Sequence, residues 1–141
     1  MNWYKASTFT HVDKQASILS GLEKIIKGLV QGTWGIFKTA VYFLIDLPLS
    51  NAAMGSTSID VKKAFMDIMY GAINEIKGLY EIGAATAQGI ATIAQKTAGA
   101  LKELFVGYAP KNIDKRSERQ IYDKANEMEN KAQNFIIEQF T

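Results

Sequence analysis

The apolar positions of this chain fall into three stretches of helical rhythm. From about Asp13 to Leu47, the residues Ile18, Leu22, Ile25, Leu29 and Gly32 follow one another by three and four, and Ile26, Val30 and Phe37 widen the stripe. That spacing turns one face of a helix toward a core. Beyond Thr33 the run "WGIFKTAVYFLI" is apolar nearly all round, which predicts burial on several sides, in protein or in lipid.

A second stretch opens near Ser58, a suitable N-cap, with Asp60 and Asp67 toward the positive helix end. Its stripe starts with Val61, Phe65, Met69, Ala72 and Ile76 and continues through Leu79, Ile90 and Ile93 to Leu104. Unbroken to Tyr108, it would be about 75 Å long, with Gly83 or Gly89 as the place for a kink. In the third stretch Ser117 and Gln120 stand at capping-box spacing. Ile121, Ala125, Met128, Ala132 and Phe135 then line one face beside Ile136 and Phe140, opposite a charged face. Ile121, Met128, Phe135 and Ile136 are its expected docking face.

Pro48 and Pro110 are the only prolines, and each closes a periodic stretch, as a residue that cannot continue a helix should. The expected fold is all-α. An elongated antiparallel helical hairpin covers 13–110 with its turn near 48–57. A linker and amphipathic C-terminal helix follow over 111–141, and an extended aromatic arm with Trp3, Tyr4 and Phe9 precedes it over 1–12. Three rings in so short an arm are costly to leave in water, so they are expected to dock on this chain or on a neighbour.

Glycine is the oddity of the first two stretches, at about 1 kcal/mol each relative to alanine inside a helix. Gly21, Gly28 and Gly35 recur every seven residues, and Gly71, Gly78 and Ala85 repeat the habit. In an antiparallel hairpin Gly35 falls opposite Gly71, Gly28 opposite Gly78 and Gly21 opposite Ala85, all centred on Ala53. These six positions predict a seam of close backbone approach, made within the chain or with a second copy.

Composition narrows the function. The chain has 141 residues, is 48% hydrophobic and 21% charged, and carries a net charge of +2, so a basic footprint for nucleic acid is missing. It has no cysteine and one histidine, His11. Disulfides, thiolate metal sites and cysteine nucleophiles are thereby excluded, and no His-carboxylate cluster has a ligand spacing. No P-loop or nucleophile-elbow motif is present, and the carboxylates lie among basic residues at helical spacing, as with Glu127 and Lys131. No catalytic residue, metal or cofactor is expected. The start "MNWYKASTFTHVDK" lacks the pattern of a signal peptide, which is compatible with the cytoplasm or with a virus particle.

The functional expectation is a non-catalytic structural or assembly protein whose partners are copies of itself or other subunits. A component of a virus particle is one setting for that. The alternative is a membrane-inserting or pore-forming hairpin with the apolar tip Trp34, Ile36, Phe37, Val41, Phe43, Leu44 and Ile45 in the bilayer. Against it stands Lys38, which costs roughly 2.5–3.5 kcal/mol at a bilayer centre. A monomeric adaptor with one apolar groove for a partner helix is the third class.

Overall fold

The structure is a computed structural model; it describes the backbone over 3–46, 58–109 and 114–140, and the side chains over 21–44, 61–109 and 114–140. The described backbone is all-helical. Four helices follow in order: α1 (Trp3–Asp46), α2 (Ser58–Glu81), α3 (Ala87–Tyr108) and α4 (Lys115–Phe140). Neighbours in the bundle are α1 with α4, α4 with α3 and α3 with α2, and α1 also touches α2.

Two expectations change here. The segment over 1–12 was expected to be an extended arm, but α1 is helical from Trp3. No glycine or proline lies between Trp3 and Asp13, so nothing in that stretch stops a helix. The side chains of Trp3, Tyr4, Phe9 and His11 lie outside the described residues.

The second change is larger. The long second helix is two helices, folded back on each other. At the end of α2, Gly83 takes φ +71°, a conformation only glycine adopts without strain. The Gly83 N–H donates to the Tyr80 carbonyl at 3.3 Å and the Ala84 N–H to that of Leu79 at 2.8 Å, a Schellman ending. Thr86 then caps α3, its hydroxyl accepting from the Gly89 N–H at 3.0 Å. With so short a turn, α3 must run back along α2, and the Lys96–Glu75 ion pair at 2.9 Å joins their flanks. The second arm of the expected hairpin is therefore two shorter helices, α2 and α3, in place of one long one.

The last connection obeys similar rules. Ala109, just before Pro110, has φ −68° and ψ 144°, the extended state proline imposes on its predecessor. The cap of α4 lies one turn before the expected Ser117. Asp114 Oδ1 accepts from the Ser117 N–H at 2.7 Å, and hydrogen bonds from Ser117 hold the Asp114 carboxyl below its ordinary value.

The core collects one stripe from each helix. From α1 come Leu29, Thr33, Phe37, Ala40 and Leu44; from α4 come Ile121, Ala125, Met128, Ala132, Ile136 and Phe140. Thr33 is fully buried, and its hydroxyl is satisfied by donating to the Leu29 carbonyl at 2.6 Å. Trp34, Phe37 and Phe65 form a ring cluster between α1 and α2, with centroids 5.0–6.1 Å apart. At the other end of α2, the Tyr80 ring lies tilted against that of Phe140, with centroids 6.1 Å apart.

Candidate functional site

Among the described glycines, Gly32 on α1 is the one most tightly covered by another helix. A methyl group there would overlap the Cζ, Cε1 and Cε2 atoms of Phe135. Absence of a side chain thus lets the Phe135 ring of α4 lie directly against α1. One turn earlier, a methyl at Gly28 would come 3.8 Å from Gln139 Oε1. Residue numbers fall along α4 as they rise along α1, so the two helices run antiparallel.

The glycines of the expected seam behave otherwise. A methyl added at Gly21, Gly35, Gly71 or Gly78 would meet nothing within 4 Å, and Gly35 and Gly71 are exposed. Ala85 is part of the α2–α3 turn and packs partly against the core. No backbone closes on these glycines among the described residues, so the pairing of Gly35 with Gly71 and Gly28 with Gly78 is not made within the chain. The physical reason is the turn at Gly83, which brings α3 to the flank of α2 and leaves α4 as the main partner of α1.

Between α1 and α4 the missing side chains leave a groove of about 390 Å³. Gly32, Gly35, Ile36, Thr39 and Ala40 line it from α1, with Met128, Lys124, Glu127 and Lys131 on the α4 side. Thr39 donates its hydroxyl to the Gly35 carbonyl at 2.8 Å. On the opposite wall Glu127 pairs with Lys131 at 2.8 Å and Lys124 at 3.5 Å. The hydrogen bond from Lys131 and the charge of Lys124 hold the Glu127 carboxyl below its ordinary value. At one end Lys124 Nζ lies 5.4 Å from the centre of the Phe43 ring. This is an apolar floor with a charged wall.

The apolar tip is mostly interior. Phe37 and Leu44 are buried; Trp34, Ile36 and Val41 pack partly against the core; Phe43 is half-buried; the Ile45 side chain lies outside the described residues. Lys38, which argued against a bilayer, is exposed with its Nζ 5.5 Å from the Tyr42 ring centre. Among the described residues no helix is long and apolar enough to cross a membrane. The C-terminal face docks on its own bundle: Ile121, Met128 and Ile136 are buried, and Phe135 covers Gly32. Among the described residues no group of three metal-ligating side chains comes together.

Sequence reasoning missed the role of Gly32, because it sits off the seven-residue spacing. The usable signal was the amphipathic stripe of α4 itself, whose large ring at Phe135 needs a small residue opposite. No protein family, curated protein or solved structure matches the chain.

Proposed function

We propose that this protein is a non-catalytic helical assembly component that acts by self-association. The observation that carries the reading is the length of α1. It has 44 residues where α2, α3 and α4 have 24, 22 and 26, or about 66 Å against roughly 33–39 Å. A bundle with one helix nearly twice as long as its partners offers that excess to another molecule. The test is the absolute mass of the full-length protein by light scattering in detergent-free buffer. A defined oligomer supports the reading, and a 15.6 kDa species at every concentration contradicts it.

A second reading has its own support. The groove between α1 and α4, with an apolar floor and a lysine-bearing wall, suits a monomeric adaptor that receives a partner helix. Bilayer insertion is the weaker competitor, because Phe37 and Leu44 would have to leave the core. A protein that stays in solution only with detergent would put that reading first.

A further inference from the structure

The outward side of α1 differs in charge from the rest of the bundle. From Lys24 to Tyr42 its exposed charged residues are all lysines: Lys24, Lys27 and Lys38. With Gln31 and Tyr42, also exposed, they follow one another by three, four and seven, which keeps them on one helix face for about 27 Å. Glu23 stands at the end of that strip. On α4, by contrast, five basic and five acidic residues alternate, and Glu127 holds both Lys124 and Lys131.

Helix α2 widens the basic strip. Lys62 Nζ lies 5.8 Å from the centre of the Trp34 ring, which puts Lys62 on the α1 side of α2. Met66, Tyr70 and Lys77 follow it by four and seven on that side. The carboxylates of α2 lie away from its middle: Glu75 pairs with Lys96 of α3 at 2.9 Å, Asp67 stands one turn from Lys63, and Glu81 ends the helix. Among the described residues Lys24, Lys27, Lys38 and Lys62 make no ion pair; Lys38 and Lys62 rest on aromatic rings instead. Tyr42 is 52% exposed and Tyr70 57%.

We propose that this face of α1 and α2 docks on the surface of an anionic bilayer, a reading that does not depend on self-association. Unpaired lysines complement the negative charge of the headgroups. Tyrosine and tryptophan, each with an apolar body and a polar tip, suit the boundary between headgroups and hydrocarbon. Single-stranded nucleic acid fits the face less well, because it needs ring faces on which bases can stack. Lys62 lies over the Trp34 ring and Phe65 tilts against it at 5.0 Å, while Lys38 lies over Tyr42. Surface docking also leaves Phe37 and Leu44 in the core, as insertion would not.

The test is flotation of the full-length protein with vesicles of phosphatidylcholine plus phosphatidylserine, and with vesicles of phosphatidylcholine alone. Salt is varied from physiological to about 1 M, where the screening length falls to about 3 Å. Each lysine at an anionic surface favours binding roughly fivefold. Lys27→Glu combined with Lys38→Glu should therefore weaken binding to the anionic vesicles at least about 25-fold. Lys115→Glu combined with Arg119→Glu on α4 changes the net charge equally and should weaken it less than about fivefold. All four positions are exposed, so both variants should keep the wild-type thermal transition. Binding to anionic vesicles alone, released by high salt and lost in the α1 variant only, upholds the proposal. No wild-type binding, or equal loss in the two variants, overturns it. Salt-insensitive binding to phosphatidylcholine alone overturns it in favour of insertion. Protein that ignores vesicles but shifts a single-stranded oligonucleotide assigns the face to nucleic acid instead.

Discussion

Gly32 and Gly35 lie three residues apart on one helix and do opposite things. At Gly32 the chain needs the missing side chain, because the Phe135 ring occupies its place. At Gly35 the same omission meets open space and leaves the groove toward Thr39 and Lys131. A glycine's spacing therefore says little about its use; the neighbour across the interface decides it.

The largest effect that tests this contrast comes from the ring. Phe135→Ala removes a half-buried side chain and should cost roughly 2–3 kcal/mol in denaturant unfolding, below the 3–5 kcal/mol of a fully buried phenylalanine. Next is Gly32→Ala. Overpacking against the ring costs about 1–3 kcal/mol and improved helix propensity returns about 1 kcal/mol, so a net loss of about 1 kcal/mol is expected. In the Phe135→Ala background the same substitution should become stabilising, since only the propensity gain is left. A double-mutant cycle reads that reversal directly.

Gly35→Ala is expected to stabilise by about 0.5–1 kcal/mol, with no ring to displace. If it destabilised instead, the open groove would be wrong.

The smallest expected effect is on pH dependence. The carboxyls of Asp114 and Glu127 are held below their ordinary values of 3.8 and 4.5 by Ser117 and by Lys131 with Lys124. A lowered folded-state value means stability that is present above the ordinary value and is lost as pH falls through the lowered one. The melting temperature should therefore fall below about pH 4, and Asp114→Asn should flatten part of that fall. An unchanged acid limb in Asp114→Asn would show that the α4 cap does not contribute through its charge.

Much of the fold was legible from periodicity. The α4 stripe is buried at Ile121, Ala125, Met128, Ala132, Ile136 and Phe140, with Phe135 half-buried beside it, because one polar face and one apolar face fix how a helix turns toward a core. The turn after α2 was harder to read. In "EIGAATAQG" the Gly83 ending and the Thr86 cap stand inside a run of small residues, where the seven-residue rhythm passes through Ala85 to Thr92 and Gly99 as if the helix continued. Which helix meets α1 was not legible at all. The spacing of Gly28 and Gly35 fits Gly78 and Gly71 on paper, but a one-dimensional register holds no information about a third helix that competes for the same flank. That competitor, α4, has its apolar and polar residues more sharply segregated onto opposite faces.

The groove was legible only as a set of small residues. Its wall of Lys124, Glu127 and Lys131 reads in sequence as a solvated i,i+4 face, and its place beside Gly35 depends on the α1–α4 register.

The most direct test of this architecture is a set of proton–proton distances from nuclear Overhauser spectra on the full-length protein. The account predicts strong cross-peaks between the Gly32 Hα protons and the Phe135 ring, with none between Gly35 and Gly71. Cross-peaks linking Gly35 to Gly71 and Gly28 to Gly78, with Phe135 silent toward Gly32, would contradict it and restore a glycine-lined hairpin.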